Sequence, residues 1–352
     1  MNIPSRWIWL LGIGSLILLA SAFAFHTYRV INQEIEWAKE YRHPPGLALG
    51  PDGDTVYYDV KSNGSYAIFA DSWTRWGNSQ RLVESNARKP VISDDGKDLY
   101  FHRGADSRFD FTEIWRKDID SQACKLVIDA SKIGLPSVAL ENVSPDGKLL
   151  LVNYPDYDAG VGKYRLFRRD GIEVEHFPPC DAAWFCGETI ITNRQGILQC
   201  ERLDGNSVTF SLDSDGVVSI SNDGQIALKR MQGGRTDHFR LVQMQGEKMI
   251  VDLHGEFAAL SNDGRLVVYR TNGGTVDGES IVVLVEQGRS VSLGKLREPT
   301  PWISSPGGLA YRNELMISIF DLKTSALQRY PVRSPKGTGT TRPISSPLRT
   351  SE

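Results

Sequence analysis

The sequence predicts an all-β protein made of seven repeated units of roughly four strands each. Two observations lead to this. A short turn that ends in glycine recurs between apolar runs along most of the chain, and a second glycine-containing hairpin follows it in several repeats. A helical repeat would show apolar residues at a period of about 3.6 residues, and no repeat does. The repeated unit is therefore built from strands.

The first turn has six clear copies whose residues are suited to a tight reversal. Proline presets φ, Asp or Asn bonds its own backbone, and glycine accepts a positive φ. Each copy is thus predicted to join two antiparallel strands. The copies are Leu49–Gly53, Ile92–Gly96, Val143–Gly147, Ile220–Gly224, Leu260–Gly264 and Ile303–Gly307.

The spacing of these turns sets the number of units. Successive turn glycines are 43, 51, 77, 40 and 43 residues apart, and the longest interval is close to two periods. A degenerate copy at Trp184–Glu188, followed by the apolar run Thr189–Ile191, divides that interval into 40 and 37 residues. Seven units are therefore predicted between residues 44 and 332. Six is the alternative, because the degenerate copy is the weakest.

The second hairpin completes each unit. It is predicted to turn at Asp170-Gly171, Asp204-Gly205, Gln245-Gly246 and Gln287-Gly288, with an apolar strand on either side. Four-stranded units of about 40 to 45 residues, repeated four to eight times, are typical of a β-propeller, in which neighbouring blades cover each other's faces. The sequence predicts this fold.

The turn Ser144–Lys148, which reads Ser-Pro-Asp-Gly-Lys, and its variants resemble the WD40-like repeats of TolB-type propellers. Such repeats also occur in the propellers of prolyl-oligopeptidase-type peptidases. The resemblance covers residues 44–332 and implies a fold but no activity, because turn-forming residues serve many functions. The sequence leaves no room for the small α/β domain that precedes the TolB propeller, and no hydrolase domain is expected after residue 332. A Gly-x-Ser-x-Gly nucleophile motif is absent, which argues against a peptidase.

The two ends of the chain differ from the repeats. Trp7–Phe25 is uncharged and almost wholly apolar, and Arg6 precedes it. Residues 1–28 are therefore predicted to be a membrane anchor that holds the propeller outside the cytoplasm. The alternative is a signal peptide cleaved near Ala20-Ser21-Ala22, which would leave a secreted protein. Residues 29–43 are predicted to form a helical stalk, and the Ser-, Thr- and Pro-rich residues 333–352 a disordered tail.

Composition limits the partners and cofactors. A net charge of −3 does not favour nucleic acid, which needs a basic surface. The four cysteines are too few for a disulfide framework and are expected to be unpaired and largely buried. With no Cys-x-x-Cys motif and six histidines scattered singly, no metal and no other cofactor is expected.

The candidate binding site lies where the second strand of each unit ends, opposite the glycine turns. Polar residues gather at these positions, and five of the seven units offer an arginine. A ring of guanidinium groups suits a carboxylate ligand or an acidic segment of a protein partner. The alternative is that each arginine pairs with a loop aspartate, namely Asp106, Asp156, Asp237 or Asp277, and only ties the face together. The candidate residues are His102, Arg103, Asn153, Arg194, Arg230, Arg270 and Arg312.

Two other features carry weaker hypotheses. Asp156 and Asp158 resemble calcium ligands but lack the spacing of a known loop. Trp73 and Trp76 are expected either to anchor a partner or, more commonly for such residues, to pack beneath their own loop.

No catalytic constellation is evident in the sequence. The favoured function is a protein-interaction or ligand-binding module. The alternatives are a hydrolase or lyase with its site in the central channel, and a structural module of an envelope complex.

Overall fold

The computed structural model of the chain contains a compact unit that spans Pro45–Glu352. It describes residues 46–62, 65–104, 111–156, 161–175, 177, 179–187, 189–195, 197–202, 207–213, 216–231, 238–261, 263–271, 279–295, 303–305, 308–312, 316–321, 326–332 and 344–345. The predicted anchor and stalk lie outside these ranges, and so does all of the predicted tail except residues 344–345. Within them, no helix is long and apolar enough to cross a bilayer.

The all-β prediction is confirmed. Within each sheet, the described strands pair antiparallel in the order in which they follow one another in the chain, so each sheet is a simple meander. Sheet 1 consists of β1 (Leu47–Leu49), β2 (Thr55–Ser62), β3 (Ser65–Ser72) and β4 (Arg81–Ser85). Sheet 2 consists of β5 (Arg88–Ile92), β6 (Asp98–Arg103), β7 (Glu113–Asp118) and β8 (Cys124–Asp129). Sheet 3 consists of β9 (Ala139–Val143), β10 (Leu149–Asp156) and β11 (Val161–Arg168).

Sheet 4 follows the same plan, and sheets 5 and 6 are hydrogen-bonded into one run of seven strands. The cause is β19, whose first half pairs with β18 and whose second half pairs with β20. The strands are β12 (Ala182–Cys186), β13 (Thr189–Arg194), β14 (Ile197–Arg202), β15 (Ser207–Asp213), β16 (Val217–Ile220), β17 (Ile226–Met231), β18 (His238–Gln243), β19 (Lys248–Leu260), β20 (Leu266–Thr271), β21 (Glu279–Leu284) and β22 (Arg289–Lys295).

Five described strands form the last sheet, sheet 7. Among the described residues, three single-turn 3₁₀ helices connect strands elsewhere in the chain. The strands are β23 (Ile303–Ser305), β24 (Gly308–Arg312), β25 (Met316–Asp321), β26 (Ala326–Pro331) and β27 (Ile344–Ser345). The 3₁₀ helices are Ala130–Ile133, Gln245–Glu247 and Val285–Gln287.

The repeated turn is held by a buried serine. In sheet 3 the Ser144 hydroxyl donates to Asp146 Oδ1 (2.7 Å) and accepts from the Leu149 backbone N–H (2.9 Å). Gly147 has a φ of 69°, a conformation that glycine adopts without steric cost. Ser93, Ser221 and Ser261 make the same two contacts in sheets 2, 5 and 6. The serine thus fixes the register of each hairpin while it stays shielded from water.

The degenerate copy also forms a hairpin. β12 and β13 pair from Ala182 to Cys186, and Gly187 takes a φ of 59° in the turn. The serine contacts are replaced by a bond from Thr189 Oγ1 to the Cys186 carbonyl (2.8 Å). The sequence prediction of a strand reversal at this place is therefore confirmed.

A separate apolar core lies between each sheet and the next. A seventh core joins the last sheet to the first, so the sheets form a closed ring. In this seam Trp76 stacks on Tyr58 (5.4 Å between ring centroids) and lies 5.0 Å from Tyr330. Among the described strands, no sheet mixes strands from the two ends of the chain, so side-chain packing closes the ring.

Three local features of the fold bear on predictions from the sequence. The strand predicted after Asp170-Gly171 is irregular: it makes only isolated bridges, at Glu173 and Cys180. Asp156, expected to lie in a loop, is instead the last residue of β10. Packing beneath the loop is confirmed for the tryptophans, because the indole N–H groups of Trp73 and Trp76 donate to the Gly53 and Pro331 carbonyls.

None of the four cysteines forms a disulfide in the part of the chain that the structure describes, as expected, but they are not all buried. Cys180 and Cys186 are buried, Cys200 is half-buried and Cys124 is exposed. Burial is the largest cause that raises the pKa of Cys186 to about 12, so its thiol stays protonated at neutral pH.

Candidate functional site

The predicted arginines lie along one edge of the ring, opposite the serine turns. Arg103, Arg194 and Arg312 are the last residues of their strands, and Arg230 and Arg270 are the last but one. The side chain of Arg312 lies outside the described residues. We call this edge the rim. The loops that follow these strand ends lie mostly outside the described residues, and so do Asp106, Asp158, Asp237, Asp277 and the side chain of Asp156.

Arg103 connects two sheets. Its guanidinium forms an ion pair with Glu84 of β4 (2.6 Å) and lies over the ring of Trp115 (4.6 Å). Lys117 reaches the same carboxylate (3.3 Å), so Glu84 receives two cations from the neighbouring sheet. Arg103 therefore stabilises the junction of sheets 1 and 2, through a strand glutamate rather than a loop aspartate.

The other arginines differ in exposure. Arg270 is buried (8% exposed), and Arg194 is half-buried, with its guanidinium 5.6 Å from the Phe177 ring and 3.4 Å from Gln199 Oε1. Arg230 is exposed. The described residues thus contain a mixture of buried, packed and exposed guanidinium groups at the rim.

His102 and Asn153 contact neighbouring protein groups. His102 is fully buried, and its Nε2 accepts the Leu140 backbone N–H of sheet 3 (2.8 Å). Desolvation, with Lys89 as a further cause, lowers the pKa of His102 to about 3, so the ring is neutral. Asn153 hydrogen-bonds the hydroxyl of Tyr164, whose pKa is raised to about 12 by burial and by Glu141.

The innermost strands of four sheets are bulged at the same level, close to the rim. In β5, Lys89 and Pro90 together lie opposite Phe101, and in β9 Glu141 is the extra residue between two paired positions. The register jumps in the same way at Val218 of β16 and at Phe257 of β19. A bulge redirects the side chain of its extra residue and is common beside binding sites. Glu141 and Val218 are exposed although their strands line the centre of the ring.

Lys89 is held in a left-handed conformation by a buried carboxylate. Its φ is 47°, which is unfavourable for a residue with a Cβ. Asp59, only 1% exposed, accepts the backbone N–H of Lys89 (2.9 Å) and of Gly46 (3.0 Å), and the Arg88 Nε lies 3.9 Å from it. A Cβ on Gly46 would lie 2.6 Å from the Lys89 Cα, so the two strands meet only because residue 46 is glycine.

Lys89 and Glu141 form an electrostatic pair across the junction of sheets 2 and 3. Desolvation lowers the pKa of Lys89, and Glu141 opposes that shift. Desolvation raises the pKa of Glu141, and Lys89 opposes it. Glu141 is open to water yet surrounded by protein, which fits a side chain on the wall of a narrow channel. The two groups interact through space, since the described residues include no direct ion pair between them.

Sequence reasoning missed Asp59, Lys89 and Glu141. Their signal was present but weak: two cations precede a proline at the start of an inner strand, and a glutamate interrupts the apolar inner strand β9. The bulges that aim Lys89 and Glu141 at the centre depend on pairing with the next strand. A pattern along one strand therefore does not reveal them.

One group of described side chains has the donor atoms of a metal site. His238, Asp252 and His254 place one ligand atom each within 4.8 Å of the others. They lie on β18 and β19, the outer strands of sheet 5, away from the Lys89–Glu141 pair.

A closed ring of antiparallel meandering sheets, with the first strand of each at the centre, is the architecture of a β-propeller. Solved structures bear this class out. No protein-family model matches the chain, and a search of curated proteins gives no significant match. The particular repeat family that the turns resemble thus stays a prediction.

Among similar solved structures is the β-propeller domain of the Trilobed protease from Pyrococcus furiosus, which has an open velcro topology. It is 15% identical, with a TM-score of 0.57, and the match covers 86% of this chain and 97% of that one. Acylaminoacyl peptidase from Pyrococcus horikoshii is 15% identical, with a TM-score of 0.58; the match covers 83% of this chain and 53% of the peptidase. TolB from Acinetobacter baumannii is 14% identical over 80% of this chain and 65% of TolB, with a TM-score of 0.49. At these identities the first two support the fold alone.

Proposed function

We propose that the chain is a seven-bladed β-propeller that binds a protein partner through an acidic segment at the rim. The observation that carries this proposal is the desolvated cation of Lys89 at the centre of the ring. The predicted arginines form its surroundings, with Arg230 as the exposed member.

Seven apolar cores support the count of seven blades. Each lies between two neighbouring sheets, and the seventh joins the last sheet to the first. We count sheets 5 and 6 as two blades because the two halves of β19 pair with different strands.

The charge of Lys89 is compensated only in part: Glu141 and Asp59 favour its charged form, but desolvation outweighs them and lowers the pKa. Its ammonium is desolvated and lies 5.3 Å from the centre of the Phe111 ring, and the neighbouring Arg88 further disfavours its charged form. The Asp59 carboxylate is already engaged with two backbone N–H groups. A carboxylate brought by a partner would favour the charged form of Lys89 and replace its lost hydration.

A labelled octaglutamate peptide provides a defined probe for this binding. We expect its fluorescence anisotropy to rise with added full-length protein and the affinity to fall as salt is added, because exposed charges are screened. Lys89→Met and Arg230→Gln should each weaken binding by about 10-fold, which corresponds to roughly 1.4 kcal/mol for one charged contact.

Lys97→Met and Lys148→Met are matched controls. Both lysines are exposed on the serine-turn face, where Lys97 pairs with Asp95 and Lys148 pairs with Asp146. They remove the same charge at the opposite edge and should leave the affinity unchanged. Equal losses of octaglutamate affinity in all four variants would show that binding depends only on the net charge of the protein. Unchanged binding in Lys89→Met would contradict the proposal.

A second candidate function is a channel enzyme. A carboxyl with a raised pKa beside an amine with a lowered pKa is the arrangement that proton transfer uses. Glu141 would act as the general acid or base and Lys89 as its charge partner in a hydrolase or lyase reaction. A substrate screen that compares the protein with Glu141→Gln tests this; turnover equal in both would remove Glu141 from catalysis.

We also propose that Trp7–Phe25 anchors the propeller to a membrane with its rim outside the cytoplasm. The uncharged length of the segment and the preceding Arg6 support this. Fractionation of cells that express the full chain, with protease added to intact spheroplasts, tests it. A cytoplasmic, protease-protected propeller would contradict the proposal, and a released, shortened chain would support cleavage instead.

A further inference from the structure

The three metal-type ligands of sheet 5 are brought together by strand register. His238, the first residue of β18, lies directly opposite His254 of β19, and Arg240 lies opposite Asp252. Because side chains alternate along a strand, His238 and Arg240 share one face with Asp252 and His254. Leu253, between the two ligands on β19, is buried on the other face. The four polar side chains thus form one patch that is separated from the apolar core.

The donor atoms lie close together. His238 Nε2 is 2.5 Å from Asp252 Oδ1, and His254 Nε2 is 3.8 Å from Asp252 Oδ2. The two imidazole rings are stacked, 4.6 Å apart and within 9° of parallel. In a tetrahedral zinc site with bonds of about 2.0 to 2.1 Å, ligand atoms are roughly 3.4 Å apart. Small rotations of exposed side chains are sufficient to reach that geometry.

We propose that His238, Asp252 and His254 bind one divalent transition metal of the zinc class. Two imidazoles and one carboxylate favour zinc, cobalt, nickel or copper over magnesium and calcium, which prefer oxygen ligands. Three protein ligands leave a coordination position for water or for a ligand from another molecule. This site is independent of the Lys89–Glu141 pair.

Arg240 positions the carboxylate. Its Nε lies 3.3 Å from Asp252 Oδ1, the oxygen that also faces His238. A donor behind a ligand oxygen fixes its orientation, and loss of such contacts typically weakens metal binding by about 10- to 100-fold. The guanidinium also adds positive charge beside the ion. Arg240→Gln therefore measures which of these opposing effects is larger.

The metal would connect the two outer strands of the sheet. β18 and the first half of β19 carry the ligands, and the same β19 continues into sheet 6. A ligand that binds only the folded state raises the unfolding temperature. Thermal stability is therefore a readout that requires no known activity.

The test uses the full chain without an affinity tag, treated with chelator and dialysed. Zinc is titrated against a chromophoric competitor, and cobalt is added in a parallel sample to record its visible absorption. We expect one equivalent to bind, the unfolding temperature to rise with zinc, and magnesium at the same concentration to have no effect. A chain that binds no zinc, or binds magnesium equally, would overturn the proposal.

His254→Ala is the decisive variant because this side chain is 73% exposed and its loss leaves the core intact. We expect zinc affinity to fall by more than about 100-fold, beyond the effect of an outer-shell contact, and the cobalt spectrum to disappear. Asp252→Asn, which keeps the side-chain shape, should weaken binding as well. His176→Ala removes a histidine elsewhere and should retain full binding. Unchanged affinity in His254→Ala, with a folded circular dichroism spectrum, would assign the metal to other residues.

Discussion

The two edges of the ring differ in how completely their polar and charged side chains are satisfied. On the serine-turn edge, Ser144 and Asp146 satisfy each other and the backbone within one hairpin. On the rim, Lys89 takes a strained backbone conformation, and Glu141 is desolvated without a bonded cation within 4.0 Å among the described ion pairs. The regular edge contributes stability that is repeated around the ring. The irregular edge retains the desolvated, oppositely charged groups Lys89 and Glu141, which compensate each other only in part. Strain and perturbed pKa values of this kind are common at functional sites.

Asp59→Ala is expected to have the largest effect of the variants that test the difference between the two edges. The change removes the acceptor of two backbone N–H groups and leaves Arg88 buried beside the gap. Breaking a buried ion pair costs about 3 to 5 kcal/mol, which urea unfolding would measure. On the other edge, Asp95→Ala should cost only about 1 kcal/mol, because Asp95 is exposed. Equal costs would mean that the rim is no more dependent on one carboxylate than the turns are.

Ser144→Ala addresses the regular edge. It removes the acceptor for the buried Leu149 N–H and the donor to Asp146, so the free energy of unfolding should fall by about 1 to 3 kcal/mol. The equivalent changes at Ser93, Ser221 and Ser261 should cost the same within error, since their contacts are alike. Chemical denaturation of the four variants provides the comparison. A wide spread would show that the turns are not interchangeable.

Lys89→Gly tests the strain at the rim. Relief of the left-handed conformation offsets the flexibility that glycine adds to the unfolded chain, so the stability should change by less than about 1 kcal/mol. Lys125→Gly, at a position of β8 that pairs with Arg116, should instead destabilise the fold by about 0.5 to 1 kcal/mol. Octaglutamate binding should weaken only in Lys89→Gly. A large loss of stability in Lys89→Gly would show that residue 89 contributes to folding rather than to binding.

Glu141→Gln should alter how stability depends on pH. The folded-state pKa of Glu141 is raised above its ordinary value of 4.5, so the folded protein holds this proton more tightly than the unfolded chain. Between those two pKa values the wild-type protein loses stability as pH rises. Glu141→Gln should therefore have the higher unfolding temperature at about pH 7, with the difference vanishing below about pH 4. A difference that grows toward acid would reverse the assigned direction.

The smallest effects are expected for Lys97→Ala and Lys148→Ala. Both lysines are exposed and pair with exposed aspartates at 3.9 and 3.0 Å. Exposed ion pairs contribute about 0 to 1 kcal/mol, so thermal unfolding should hardly change. A larger loss would show that charge on the turn face matters more than its geometry suggests.

Sequence periodicity predicted the strands and their turns because those depend on local chemistry. Gly147 must take a positive φ and Ser144 bonds residues within five positions, so both leave a mark in the sequence. The chemistry of the rim depends on partners far apart in the chain. Asp59 meets Lys89, and His238 meets Asp252 only through the register of two strands. The arginines were correctly placed near the ends of strands, yet whether such an end faces water, as for Arg230, or protein, as for Arg270, depends on packing.

The seam between the first and last sheets has a mechanical consequence. Ring contacts join Trp76 to Tyr58 and Tyr330 there, and the indole N–H of Trp76 adds a directional hydrogen bond to the Pro331 carbonyl. Opening the ring at this point would leave every described β-ladder intact, because no ladder crosses it. Closure of the ring at this point thus depends on a single apolar junction. At the other extreme, sheets 5 and 6 share the continuous strand β19, so separating them would break backbone hydrogen bonds.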